Sequence, residues 1–157
     1  LVMNYIRKYN IDADIMRLFN TFGPGMSPMD ERVIPRFLRS VVSGEALTIY
    51  GTGRQRRTFL YVDDLIRGLE LIMAKGNQGE VYNIGGREPI TIKKLAKIVS
   101  EVTRHRAGTI FLPHFIEDHE YRTPALDKIK KLGWRAQVSL EEGLKKMFTR
   151  SRRVSAQ

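Results

Sequence analysis

Two rhythms of apolar residues alternate along the chain: short uninterrupted runs, and longer stretches in which apolar side chains return every three to four positions. The first marks a buried strand and the second a helix with one apolar face. Helical periodicity is already present over residues 1–9, with no capping residue ahead of it, which reads as a helix entered in its middle and an upstream portion missing. Residues 14–19 follow as a strand expected to be buried on both faces. Helix then buried strand is the rhythm of a parallel α/β sheet. The strand runs into Asn20-Thr21-Phe22-Gly23-Pro24-Gly25, where polar residues meet turn formers. A helix of about ten residues is expected from Val33, with Pro35 in its first turn, Val33, Phe37, Leu38, Val41 and Val42 on one face, and Gly44 as its stop.

Residues 47–69 change character fastest. A β-branched run from Leu47 to Tyr50 stops at Gly51-Thr52-Gly53, three arginines follow at Arg54, Arg56 and Arg57, and a second apolar run reaches Tyr61. Asp63 and Asp64 then open a helix expected to bury Leu65, Leu69 and Ile72 and to stop near Gly76. Residues 80–84 read as a strand closed by Gly85-Gly86. Thr91 is positioned to cap a helix carrying Ile92, Leu95, Ile98, Val99 and Val102. A strand is expected over 109–112, an irregular loop over 113–124, and a short helix over 127–132. Ser139-Leu140-Glu141-Glu142 forms a capping box for a last helix with Leu140, Leu144, Met147 and Phe148 on its apolar side. Residues 151–157 have nothing to bury and are expected to be a disordered basic tail.

Composition narrows the classes. With 42% hydrophobic residues in 157 the chain is globular. It has no cysteine, which removes disulfides and thiolate metal sites and fits a cytoplasmic setting. No apolar run approaches membrane-spanning length, so no membrane partner is expected. The net charge of +10 favours phosphate-bearing partners in general. The cations are dispersed over a loop, a helix face and the end of the chain, with no aromatic-interleaved basic ribbon, so nucleic acid is not expected. His105, His114 and His119 lack metal-ligand spacing and read as surface residues.

The candidate chemistry lies in two places. Arginine offers a planar fork of donors that matches phosphate oxygens, and glycines let backbone approach a ligand, so residues 51–57 suit an anion. A solvated basic loop is the alternative. Asn20 and Thr21 sit past the carboxyl end of a strand, where open α/β sheets bind ligands. Turn residues satisfying their own backbone are the alternative there.

Four landmarks in order, Arg17-Leu18-Phe19-Asn20-Thr21-Phe22-Gly23-Pro24-Gly25, Tyr50-Gly51-Thr52-Gly53-Arg54-Gln55-Arg56-Arg57-Thr58-Phe59-Leu60-Tyr61-Val62-Asp63-Asp64, Tyr82-Asn83-Ile84-Gly85-Gly86 and Leu132-Gly133-Trp134 ahead of Ser139, resemble the extended short-chain dehydrogenases acting on sugar nucleotides, the NAD-dependent epimerase/dehydratase group. Around Asn20 and Gln55-Arg56-Arg57 the sequence is most similar to the UDP-glucuronate decarboxylases of that group. The resemblance implies an α/β fold: the C-terminal part of a Rossmann-like NAD-binding sheet (1–23 and 58–86) plus the smaller substrate-binding domain (24–57 and 87–150). It implies that Asn20 contacts the sugar-phosphate part of a UDP-sugar, that Arg57 and Arg122 hold the diphosphate, and that Thr48, Ile49 and Tyr50 lie by the base. Phe19 and Thr21 would lie by the nicotinamide of NAD.

Family members also carry a Gly-rich turn for the NAD pyrophosphate and a Tyr-x-x-x-Lys pair for proton transfer. Neither occurs here: Tyr9 stands four after Tyr5 and Ala13 four after Tyr9. Ala125 replaces the aspartate usual after that proline. The resemblance therefore implies a C-terminal half, NAD held mainly by a missing N-terminal half, no catalytic residue in this chain and no turnover by it alone. In the complete enzyme the hexose would be oxidised at carbon 4, lose carbon dioxide as a β-keto acid and regain the hydride. UDP-glucose or UDP-glucuronate 4-epimerases and nucleotide-sugar 4,6-dehydratases share the landmarks. An inactive sugar-nucleotide binding module is the reading from another class. Relatives often form homodimers through helices, so a homodimer is implied too.

Overall fold

A computed structural model describes residues 1–27, 29–113 and 121–154, without the side chains at 121, 122 and 150–154. Helix α1 (Val2–Tyr9) leads into β1 (Ile15–Leu18), which pairs in parallel with β6 (Val81–Ile84). Strand β2 (Thr21–Phe22) pairs in parallel with β5 (Leu60–Tyr61), which runs directly into α3 (Val62–Lys75). Outside this parallel part, α2 (Val33–Ser43) leads to β3 (Leu47–Tyr50), which pairs in parallel with β8 (Thr109–Leu112). Strand β4 (Arg56–Arg57) lies between β7 (Ile90–Thr91), antiparallel, and β9 (Tyr121–Arg122), parallel. Helices α4 (Ile92–Thr103), α5 (Asp127–Lys131) and α6 (Leu140–Val154) complete the chain.

Two apolar clusters hold these elements. One joins α2, β3, α4 and α6 through Phe37, Leu47, Ile49, Leu95, Val99 and Leu144. The other packs α3 and β6 against the 126–136 segment through Ile72, Tyr82, Ile84, Ile129 and Trp134.

The helix signals act as expected. Thr91 Oγ1 accepts from the Lys94 amide at 3.0 Å, and Ser139 Oγ accepts from the Glu142 amide at 3.1 Å.

Several expectations are corrected. Strand β1 is not buried on both faces, for Leu18 is 53% exposed: no described element covers that face. On α2 the buried stripe is Ile34, Phe37 and Leu38 with Val41 packed beside it, and Val42, one position past that i, i+3, i+4, i+7 pattern, is exposed. On α3 Ile72 is buried and Leu65 packs beside the core as expected, but Leu69 is exposed, and the fully buried positions of the first turns are Asp64 and Gly68. Helix α6 continues to Val154, four residues into the expected tail, because arginine and serine continue a helix without needing burial; residues 155–157 lie outside the described ones. His105 is half-buried, and its Nε2 is sealed from solvent; His114 and His119 lie outside the described residues.

Candidate functional site

Where β1 ends, Asn20 takes a left-handed backbone conformation, φ 36°, which asparagine tolerates better than most residues. Its carbonyl accepts from the Leu60 amide at 3.2 Å, tying the turn to β5. Asn20 and Thr21 thereby line a cleft of about 230 Å³, whose other walls include Arg36 of α2, Tyr50 at the end of β3, Gln55 and Arg57 of β4.

The loop between β3 and β4 is set by its glycines and by α4. Gly51 and Gly53 both have positive φ, and a side chain at Gly53 would crowd Ile49 and Lys93. The Lys93 and Ile92 amides donate to the Gly53 and Gln55 carbonyls at 3.0 and 3.1 Å. This fixture delivers Arg57 to the middle of a three-stranded sheet, where it is 7% exposed while Arg54 and Arg56 stay exposed. Arg57 is thus no solvated loop residue; its Nη1 donates to the Arg56 carbonyl at 2.7 Å.

The parallel register of β4 and β9 sets Arg57 opposite Arg122. Two of the expected site residues, 65 positions apart in sequence, become backbone neighbours, and residues 121–122 form a strand inside the segment expected to be irregular. Pairing with β4 supplies the order that no local pattern marks at residues 121–122. Thr48 and Ile49 do not line the cleft: the Ile49 side chain is fully buried in the core, and the Thr48 carbonyl accepts from Arg36. Tyr50 does line it. Phe19 is half-buried at the end of β1, its amide donating to the Ile84 carbonyl at 2.9 Å.

Arg36 is the residue that motif reading missed. Its Nη2 donates to the Thr48 carbonyl at 3.2 Å and its guanidinium carbon stands 4.5 Å from the centre of the Tyr50 ring. Burial pulls its pKa below the usual guanidinium value and Arg39 adds to this, while Tyr50 and Glu31 pull the other way. The signal in the sequence was a lone cation inside the apolar run Val33-Ile34-Pro35-Arg36-Phe37-Leu38.

Among the described residues three arginines, Arg32, Arg36 and Arg57, line the cleft and no carboxylate does. Arg32 is ion-paired with Asp30 at 2.5 Å outside the lining, and that pairing holds the Asp30 carboxyl below the usual range. Thr21 Oγ1, Arg36 Nε and Gln55 Oε1 are sealed from solvent and have no hydrogen-bond partner among the described residues. The guanidinium groups of the lining suit an anionic ligand. The Thr21 hydroxyl, at the mouth of a parallel strand pair, also fits a dinucleotide placed beyond the strand ends. Among the described residues no group of histidine, aspartate or glutamate could hold a metal ion. A second cleft of about 230 Å³ near Arg87 and Lys94 is balanced by Glu88 and Glu141.

The model of the NAD dependent epimerase/dehydratase family matches residues 1–85. UDP-glucuronic acid decarboxylase 2 of Arabidopsis thaliana is 39% identical over 145 residues, 92% of this chain and 32% of that protein. UDP-glucuronic acid decarboxylase 1 of Danio rerio is 39% identical over 143 residues, 90% of this chain and 34% of that one. The chain therefore spans about a third of the length of these relatives. Among solved structures, UDP-glucose 4-epimerase of Thermotoga maritima with UDP-glucose superposes with a TM-score of 0.92 at 32% identity, covering 98% of this chain and 50% of the epimerase. UDP-glucuronic acid 4-epimerase of Bacillus cereus with UDP-glucuronic acid and NAD gives 0.87 at 27%, covering 96% and 48%.

Proposed function

Because the chain belongs to the NAD dependent epimerase/dehydratase family, we propose that it forms the nucleotide-sugar binding part of an enzyme that converts UDP-glucuronate to UDP-xylose in the cytoplasm. The observation that carries the proposal is a cleft lined, among the described residues, by three arginines and no carboxylate, with Arg57 itself buried. A buried guanidinium suits a ligand with a diphosphate, whose oxygens take paired donors.

In this proposal Arg57 and its strand neighbour Arg122 hold the diphosphate and Asn20 contacts the sugar-phosphate portion. Tyr50 lies by the base, with Thr48 and Ile49 contributing backbone and framework. Phe19 and Thr21 lie beside the nicotinamide, and the remaining NAD contacts belong to an N-terminal half. NAD supplies a hydride acceptor and donor at the sugar. This chain's residues bind and orient, with 1–23 and 58–86 on the NAD side and 24–57 and 87–150 on the substrate side. The complete protein works as a homodimer. A 4-epimerase or 4,6-dehydratase would use the same cleft and is separated by which sugar it selects.

Calorimetric titration of the chain with UDP, UDP-glucuronate, UDP-xylose, UDP-glucose and dTDP-glucose tests the proposal. The expected outcome is binding of the UDP-sugars, glucuronate or xylose foremost, with Arg57→Ala weakening it by about 1.5–3 kcal/mol, the range for a charge-assisted hydrogen bond. Binding that Arg57→Ala leaves unchanged contradicts it.

A further inference from the structure

Phe59 lines the arginine-lined cleft and the second cleft alike, so one half-buried residue is a wall of both. The second cleft is bounded by the turn ahead of β7, the first turns of α4 and α6, and residues 136–138. That last wall is fixed from behind: the buried Asp64 carboxylate accepts from the Gln137 and Val138 amides at 2.8 and 2.9 Å, and Arg87 donates to the Ala136 carbonyl. Phe59, Ile90, Ile98, Val138 and Leu140 supply an apolar lining. Beside it stand two cations, Arg87 and Lys94, and two carboxylates, Glu88 and Glu141, all four exposed. No ion pair among the described residues joins any of them, although they share one cleft.

The mixture of signs decides what this cleft takes. A phosphate would be drawn by Arg87 and Lys94 and opposed by Glu88 and Glu141, and a simple cation would meet the reverse. A ligand with one charge of each sign answers both pairs, and an apolar side chain on it would fill the remaining lining. Arg87 is already anchored on the Ala136 carbonyl, which leaves further donors of the same planar fork for a carboxylate. The volume of about 230 Å³ is below the roughly 300–1,000 Å³ of pockets for drug-sized ligands, so the ligand is a smaller molecule. We propose that the second cleft is an effector site for a small zwitterion with an apolar side chain, an α-amino acid in class, and that Phe59 carries its occupancy to the arginine-lined cleft. Arg87 and Lys94 hold the carboxylate, and Glu88 and Glu141 hold the ammonium group. The site does not depend on what the first cleft binds.

The test is amide NMR titration of the chain with L-leucine, with leucinamide, which lacks the carboxylate, and with 4-methylpentanoate, which lacks the ammonium group. Leucine should shift Ile98, Val138 and Leu140 and, across Phe59, Asn20 and Tyr50. It should bind on the order of 10- to 100-fold more tightly than either analogue, as expected when one charge-assisted contact is lost. Lys94→Met and Glu141→Gln, at exposed positions outside the first cleft, should each weaken leucine by on the order of tenfold and leave UDP affinity unchanged. Saturating leucine should change UDP affinity by about fivefold or more, and UDP should change leucine affinity by the same factor. Leucine that binds no better than its analogues, or that shifts neither the second cleft nor Asn20 and Tyr50, overturns the inference; so does UDP affinity that leucine leaves unchanged. Leucine shifts at both clefts in a chain that binds no UDP would support the inference and overturn the nucleotide-sugar reading alone.

Discussion

Asp64 is fully buried at the start of α3, and its carboxylate is met by the Gln137 and Val138 amides at 2.8 and 2.9 Å and by the Arg67 guanidinium. Its carbonyl accepts from Trp134 Nε1 at 3.0 Å. One residue thus ties the helix after β5 to the segment leading into α6. In sequence Asp63 and Asp64 look alike, two acids at a helix start, and only the packing separates an exposed Asp63 from its buried neighbour. Asp64→Ala is predicted to cost about 3–5 kcal/mol in chemical denaturation, because it leaves two amides and a guanidinium without their partner. Asp63→Ala should cost under about 1 kcal/mol, the helix-dipole contribution alone. The same limit governs the cleft: Arg57 was legible because glycines and arginines cluster around it. Arg36 was not, because a lone charge in an apolar helix face does not announce which way it turns.

At the scale of elements, the helices were legible and the shortest strands were not. Caps at Thr91 and Ser139 and the apolar stripes of α2, α4 and α6 are local signals, written within a few residues of each other. Strands β7 and β9 have two residues each and exist through pairing with β4, so no local pattern marks them. On α3 only Leu69 departs from the expected face, because the buried position beside it is Gly68, which contributes no apolar side chain. A Cβ at Gly68 would collide with Ile84 Cδ1 and Trp134 Nε1, so β6 and the tryptophan pack against bare helix backbone. Alanine ordinarily favours a helix interior over glycine by about 1 kcal/mol. Here Gly68→Ala is predicted instead to destabilise by about 1–3 kcal/mol through overpacking, measured by thermal or denaturant unfolding. A stabilised variant would contradict the packing described for α3.

At the scale of the molecule, α/β class followed from the alternation of rhythms, while the division of the core into two clusters did not, since residues 126–136 pack far from their sequence neighbours. The surface also carries apolar residues, among them Leu69, which sequence periodicity assigned to a helix interior. Tyr5 and Tyr9 of α1 and Ile66, Leu69 and Met73 of α3 are exposed, Met73 at 79%. Apolar exposure of this kind marks association surfaces, and the proposed homodimer would use it. Sedimentation velocity is predicted to show a dimer that Ile66→Glu with Met73→Glu converts to monomer; a monomeric unaltered chain would contradict the pairing.

The central claim, that the arginine-lined cleft is a nucleotide-sugar site, is tested most directly by amide NMR titration of the chain with UDP-glucuronate and NAD. The predicted result is shifts confined to Asn20, Thr21, the 50–57 loop and the start of α2. Shifts centred instead on the second cleft near Arg87 and Lys94, or none at all in a folded chain, would contradict it.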